Sequence, residues 1–90
     1  MKFNFPATKF VKTATMREQL HKCVSEGYEA VSAVTNHEAE SFDAVCEILD
    51  GAHAYETAVR KLINEHGAEY VEKARVAVIE KNRERGYYVA

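Results

Sequence analysis

Apolar residues recur every three or four positions through most of this 90-residue chain, and that spacing constrains the fold more than any other feature. The pattern predicts three helices, over residues 16–35, 38–65 and 68–85. Short connections between consecutive helices favour an all-α antiparallel helical bundle. Before the helices lies a short N-terminal arm, residues 1–14, which contains the only proline of the chain and which we expect to pack across the surface in an extended form.

The ends of these helices carry recognisable signals. Thr15 and Glu18 have the spacing of a capping box, so the first helix should begin at about residue 16. Gly67 suits the left-handed cap position at the end of the second helix. Gly27 lies inside the first helix, where glycine costs about 1 kcal/mol relative to alanine, and it marks a close helix contact or the approach of a ligand. The third helix has a predicted inner face of Tyr70, Val71, Ala74, Ala77 and Val78.

The length and composition of the chain indicate one small domain, residues 1–90. Four glycines, one proline and a hydrophobic content of 47% exclude collagen-like, disordered and disulfide-scaffold classes. A chain of this size buries only about 60–65% of its unfolded surface, so we expect the bundle to complete its core as a homodimer or homotetramer. No apolar run approaches the roughly 18 residues of a membrane span, and residues 1–15 lack a continuous apolar stretch. We therefore expect a cytoplasmic protein without membrane contact or a secretory signal.

Charge is distributed unevenly along the sequence. The formal net charge is −2, but residues 1–22 carry +4, residues 23–59 carry −8 and residues 60–90 carry +2. The middle segment has eight acidic residues and no lysine or arginine. Solvated helices ordinarily mix both signs to form i,i+4 pairs, so this segment indicates a cationic neighbour or a bound cation. The net value excludes an overall basic nucleic-acid-binding protein.

Two acidic pairs stand out within the middle segment. Glu26 and Glu29 are three residues apart on the first predicted helix, and Glu47 and Asp50 have the same spacing on the second. Residues three apart share a helix face. If the two helices form a hairpin, the turn near Asn36 lies roughly between the pairs, and the carboxylates can converge across it. Four oxygen ligands in one cleft suit Mg²⁺, which polarises phosphoryl oxygens and lowers the pKa of a bound water.

The same residues resemble the motif of a known family. Glu26-Gly27-Tyr28-Glu29, then 17 residues, then Glu47-Ile48-Leu49-Asp50 resembles the ExxE…ExxD pattern of the all-α nucleoside triphosphate pyrophosphohydrolases, the MazG-like superfamily. Residues 60–67 look like the end of that family's third helix, and residues 81–88 look like its closing Lys-Asn…Arg-Gly segment. The resemblance covers the helical region, residues 15–88. Many members have a further Glu directly before the motif, where this chain has Ser25.

This resemblance implies a Mg²⁺-dependent enzyme. In that family four acids bind Mg²⁺, and an activated water attacks a nucleoside triphosphate between its α- and β-phosphates, which releases a monophosphate and pyrophosphate. Carried over to this chain, the metal ligands are Glu26, Glu29, Glu47 and Asp50. Glu26 and Glu47 are the catalytic candidates, because one of the glutamates also orients the water. The candidates on the phosphate side are Lys81, Asn82 and Arg85.

The acidic residues also fit a second interpretation. At 100° per residue, Glu29 falls nearly opposite the apolar stripe of the first helix, and Glu47 falls well away from that of the second. Acids in such positions are usually solvated. An acidic stripe can mimic nucleic acid or dock a basic partner. The alternative is therefore a non-enzymatic small helical protein whose acidic face binds a partner macromolecule, or a nucleotide without turnover.

The histidines and cysteines point to structure more than to chemistry. His53 follows Asp50 by three residues and is a candidate neighbour of the acidic site, although a surface or interface position is more common for such a histidine. Cys23 and Cys46 lie in apolar stretches without metal-ligand spacing, so we expect both to be reduced core residues.

Overall fold

The computed structural model describes residues 4–36 and 41–89, and within these ranges the fold is all-α. The described helices are α1 (Phe10–Thr13), α2 (Met16–Asn36), α3 (Phe42–His66) and α4 (Ala68–Glu84). The predicted all-α helical bundle is therefore confirmed, and α1 is a short helix inside the arm that the sequence did not predict. The start predicted for the second helix, residue 38, lies outside the described residues, and α3 begins at residue 42.

The helix ends follow local capping signals. The backbone N–H of Thr15 donates to Glu18 Oε1 at 2.8 Å, and the N–H of Glu18 donates to Thr15 Oγ1 at 3.1 Å, so the predicted capping box is confirmed. Ser41 is the N-cap of α3, since its Oγ accepts from the N–H of Ala44 at 3.2 Å. Gly67 separates α3 from α4 with a φ of 90°, a conformation that glycine adopts at low cost.

Helices α2 and α3 form an antiparallel hairpin with a seam of small and polar side chains. Across the seam, Gln19 Nε2 donates to the carbonyl oxygen of Ala54 at 2.9 Å. Nearer the turn, Glu26 and Glu47 approach each other. The buried residues of the described chain are Gln19, Cys23, Glu26, Ala44, Ala54, Thr57, Ala58 and Lys61. No large side chain in the described ranges is fully buried, so the core of a single chain is thin.

The arm lies along α3 and is held there by polar contacts. The backbone N–H of Phe5 donates to Glu56 Oε1 at 2.8 Å, and the Arg60 guanidinium donates to the Phe5 carbonyl oxygen. The Phe5 ring stacks on the His53 imidazole with ring centroids 4.5 Å apart. The buried ammonium of Lys61 donates to two carbonyl oxygens around the end of α1. These contacts fix the arm over one side of the hairpin, which agrees with the predicted packing across the surface.

Helix α4 contacts α3 but has no buried residue along its length. The inner face predicted for it is wrong for a single chain, because Tyr70 is 62% exposed and Val78 is 47% exposed. Within the described ranges, no helix combines the length and the apolar character that crossing a membrane requires.

Candidate metal centre

Three of the four acids predicted as metal ligands converge at the hairpin seam. Glu26 and Glu29 lie one turn apart on α2, and Glu47 faces them from α3. Each offers a carboxylate oxygen, and the three oxygens lie within 4.8 Å of one another. Two oxygens on opposite sides of a Mg²⁺ ion are about 4.2 Å apart, so small side-chain adjustments would bring this set to ligand spacing. Asp50 is one turn farther along α3 and lines a neighbouring cavity instead.

Two oxygens at this centre are buried without a hydrogen-bond partner among the described residues. They are Oε2 of Glu26 and Oε2 of Glu47. Glu26 is only 7% exposed, which is rare for a carboxylate. A buried polar atom without a partner costs about 1–3 kcal/mol, and a charged one costs more. The donor set therefore fits a hard cation, because carboxylate oxygens are the ligands that Mg²⁺, Ca²⁺ and Mn²⁺ prefer.

One lysine partly balances the negative charge of the centre. The Lys22 ammonium lies 2.8 Å from Glu26 Oε1, one turn earlier on α2. This ion pair lowers the pKa of Glu26, although burial of the carboxylate acts in the opposite direction. The negative charge of Glu26 is the largest cause of the raised pKa of Glu29, and the negative charge of Glu47 makes a smaller contribution. The three carboxylates thus carry more negative charge than the single nearby ammonium balances. A bound cation would reduce the repulsion that remains.

Two cavities open beside the three acids. The first, which we call the arm cavity, has a volume of about 260 Å³ and lies between the N-terminal arm and the hairpin. Its lining residues include Thr8 and Phe10 of the arm region, and Lys22, Glu26, Asp50 and His53 of the hairpin. The second, which we call the acid groove, has a volume of about 370 Å³ and is lined by residues that include Glu29, Asp43, Cys46 and Glu47. The carboxylate cluster lies where the two cavities approach each other.

The residues predicted on the phosphate side lie elsewhere in a single chain. Lys81, Asn82 and Arg85 are at the end of α4, and none of them lines the arm cavity or the acid groove. Their contacts are local, since the Asn82 carbonyl oxygen accepts from the N–H of Tyr87 at 3.0 Å and the Arg85 guanidinium lies 5.9 Å from the centre of the Tyr87 ring. The described chain therefore does not bring these three residues to the acids.

Sequence reasoning missed two residues of the site and misplaced a third. Lys22 precedes Glu26 by four residues, and this i,i+4 spacing was the available signal. Phe10 reaches the arm cavity only because the arm folds back, for which the sequence offers no local signal. Cys23 is buried as predicted, but Cys46 is exposed, so the prediction of a core residue is wrong for Cys46. Cys46 lines the acid groove, where its side chain is open to solvent.

No protein-family model, curated protein or solved structure matches this chain. The chemistry available at the site follows from the positions of Glu26, Glu29 and Glu47 and from the properties of carboxylates.

Proposed function

We propose that this protein is a Mg²⁺-dependent nucleotide pyrophosphohydrolase, which cleaves a nucleoside triphosphate to the monophosphate and pyrophosphate. The observation that carries the proposal is the convergence of Glu26, Glu29 and Glu47, with two buried carboxylate oxygens that have no partner among the described residues. Mg²⁺ is commonly held by a few carboxylates together with the phosphates of a substrate, and it retains several waters. Three clustered carboxylates beside two open cavities suit that mode of binding.

In this proposal the residues of the centre bind the metal ion, orient the attacking water or contact the phosphates. Glu26, Glu29 and Glu47 hold the cation, and Asp50 is the candidate for a further ligand or for a water-mediated contact. Mg²⁺ at this position would polarise phosphoryl oxygens and lower the pKa of a coordinated water. Glu26 or Glu47 would orient that water toward the phosphate. The Lys22 ammonium lies 2.8 Å from Glu26, so it is our candidate for the basic group that contacts the phosphates.

The cavities support a placement for the nucleotide. A complete small-molecule site usually measures about 300–1,000 Å³, so the arm cavity, at about 260 Å³, suits one end of a nucleotide rather than the whole molecule. Phe10 provides an aromatic surface there, and Thr8 and His53 provide polar groups that are able to orient a base or sugar. The phosphates would then extend past Lys22 to the carboxylates.

The alternative, a non-enzymatic acidic docking face, is favoured less by these contacts. Docking a basic partner requires carboxylates that are separate and accessible at the surface. Glu26 is 7% exposed and is already paired with Lys22, so it offers little to a macromolecular partner. Binding of a nucleotide without turnover uses the same centre and is separated from catalysis by the assay.

The direct test is release of pyrophosphate from a panel of ribo- and deoxyribonucleoside triphosphates, with and without Mg²⁺. Glu47→Gln removes one carboxylate of the centre while keeping the size of the side chain. Glu65→Gln is the matched control, because Glu65 is also on α3 but is near its far end and half-exposed. We expect Mg²⁺-dependent release by the wild type and by the control, with a loss of at least about 100-fold in Glu47→Gln, as for other groups that stabilise charge in the transition state.

Each outcome of this assay has a definite meaning. Wild-type protein that is inert toward every triphosphate contradicts the enzymatic proposal. If Mg²⁺ and a nucleotide nevertheless raise its melting temperature together, the centre binds without turnover. Equal activity of Glu47→Gln and Glu65→Gln would contradict the assignment of the centre.

A further inference from the structure

Both helices of the hairpin present a row of large apolar side chains to solvent. Each of these residues is at least 38% exposed. The row on α2 consists of Leu20, Val24, Tyr28, Val31 and Val34, and the row on α3 consists of Val45, Ile48, Tyr55, Val59 and Ile63. We call these ten residues the apolar face. Contiguous exposed apolar side chains of this kind differ from an ordinary solvated surface, and the exposed Arg17 lies at the N-terminal end of the α2 row.

The two rows lie on the same side of the hairpin. At 100° per residue, the row on α2 is rotated by about 110° from the buried residues of that helix, and the row on α3 is rotated in the same sense by about 135° from its own buried residues. Because the helices are antiparallel, rotations of the same sense carry both rows to one side. The arm contacts α3 through His53 and Arg60, which are rotated from the seam in the opposite sense, and through Glu56, which lies nearly opposite the seam. The apolar face therefore continues across both helices and lies beside the arm, which approaches it at Ile63, where this residue and Val11 line a shared cavity.

The surface of the chain is larger than that of a self-sufficient monomer. The chain exposes 7163 Å², whereas a folded monomer of 10.2 kDa is expected to expose about 5,300 Å². The Cα radius of gyration is 15.1 Å, compared with about 12 Å expected for a compact chain of this length. Obligate homodimers bury about 1,000–2,500 Å² on each copy. The excess of about 1,800 Å² falls within the range that such an interface would remove.

Two observations favour a second copy of this chain as the molecule that covers the face. The described chain has no fully buried large side chain, so it lacks the core that a domain of this size needs for stability on its own. A partner that completes the core must be available whenever the chain folds, and a second copy of the chain meets this requirement. An uncharged apolar face is also complementary to itself across a two-fold axis, without a partner of opposite charge.

We propose that the apolar face packs against the same face of a second copy, so that two α2–α3 hairpins form a four-helix homodimeric core. The side chain of Glu29 is rotated from the seam toward the side of the arm, opposite to the apolar face. Dimerisation therefore leaves the arm cavity and the acid groove open. The interface does not depend on the proposed function, and the two are tested by separate variants.

The test measures the mass of the protein in solution at micromolar concentration by sedimentation velocity and native mass spectrometry. We expect twice the chain mass of 10.2 kDa. Val31→Glu places a carboxylate within the α2 row of the face, and because an isologous interface contains each substitution twice, we expect dimer affinity to be weakened by at least about 100-fold. Val89→Glu is the matched control, since Val89 is 97% exposed and lies outside the face. We expect that variant to remain dimeric.

The wild-type mass decides the proposal first, because a monomer at these concentrations overturns it. A wild-type dimer that is equally stable in Val31→Glu overturns the assignment of the face. Val31 is 65% exposed in a single chain, so a glutamate there should not disturb an isolated fold. If Val31→Glu unfolds on dilution while Val89→Glu does not, the face is supported, since only loss of a partner explains the difference. A melting temperature that rises with wild-type concentration gives an independent confirmation.

Discussion

Replacing Glu47 with glutamine should stabilise the metal-free protein, and this advantage over the wild type should disappear or reverse when a divalent cation is bound. Without a cation, the variant removes one negative charge from a group of three carboxylates whose oxygens lie within 4.8 Å of one another. Its amide group is also able to donate a hydrogen bond to a neighbouring carboxylate oxygen, such as Oε2 of Glu26, which has no partner among the described residues. Both effects stabilise the metal-free protein.

The magnitude follows from the spacing of the charges. At 4.8 Å, the repulsion between the charges of Glu26 and Glu47 is about 1 kcal/mol at the dielectric constant of water and about 3.5 kcal/mol at an effective dielectric constant of 20. The Lys22 ammonium, 2.8 Å from Glu26, offsets part of this repulsion. We therefore expect Glu47→Gln to stabilise the metal-free protein by about 1–2 kcal/mol. That corresponds to a rise in melting temperature of at least about 4 °C.

The assay is thermal unfolding followed by circular dichroism, at one chain concentration, in chelator and in excess Mg²⁺. A ligand present at 100 times its dissociation constant stabilises a protein by about 2.7 kcal/mol, so Mg²⁺ should bring the wild type level with the variant or above it. Glu47→Gln should gain much less from Mg²⁺. Glu65→Gln should follow the wild type in both conditions.

Two results would refute the reasoning. A lower melting temperature for Glu47→Gln in chelator would mean that the carboxylate stabilises the metal-free fold, which clustered like charges cannot explain. Equal gains from Mg²⁺ in the wild type and in the variant would mean that the stabilising ion binds elsewhere.

A thiol reagent should modify one cysteine per native chain and two per unfolded chain. The reason is that Cys46 is exposed, whereas Cys23 is buried and desolvation raises its pKa. Rapid modification of both cysteines in the native chain would contradict the assigned burial. The pKa of Glu18 is lowered by the hydrogen bond from the backbone N–H of Thr15, so its contribution to stability is complete above the ordinary value of 4.5 and is lost as the pH falls through the lower folded pKa. Chemical denaturation between pH 7 and pH 3 should therefore show a smaller acid-induced loss in Glu18→Gln, and identical losses would refute this role. Gly51→Ala should raise the free energy of unfolding by about 0.5–1 kcal/mol, because alanine is favoured over glycine inside a helix and the added Cβ has no atom of the described residues within 4 Å. A destabilised variant would instead indicate that this position contacts another molecule.

The sequence predicted the helices well because their signals are local. The capping box of Thr15 and Glu18 involves only neighbouring residues and is confirmed. Gly67 ends α3 as predicted and has a positive φ, but its ψ of 154° lies outside the left-handed helical region that was predicted. Helix α1 was not predicted, since carbonyl oxygens of Val11 and of its C-cap residue Ala14 accept from the ammonium of Lys61, about fifty residues away. Contacts of this kind depend on tertiary packing and leave no trace in local periodicity.

The sequence predicted which acids come together, but it did not predict which face of each helix is buried in the hairpin. The i,i+3 spacing of Glu26 and Glu29 correctly placed both near Glu47, because helix geometry and an antiparallel turn determine that approach. Apolar periodicity did not reveal which face of each helix forms the seam. Side chains such as Val31 produce the helical period yet remain exposed, while Glu26 is buried. A carboxylate in the seam is a departure from hydrophobic patterning, and such departures are expected where a site is built.

The most direct test of the metal centre is a titration of the metal-free protein with Mn²⁺, followed by electron paramagnetic resonance of the free ion. We predict one Mn²⁺ per chain in the wild type, displaced by Mg²⁺. Glu29→Gln changes an exposed ligand and should leave the fold intact, yet it should weaken binding by at least about tenfold, since even the loss of an outer-shell partner of a metal ligand costs 10–100-fold. Glu65→Gln should bind as the wild type does. Absence of a stoichiometric Mn²⁺ site, or equal affinity in Glu29→Gln and the wild type, would contradict the assignment of these carboxylates as a metal centre.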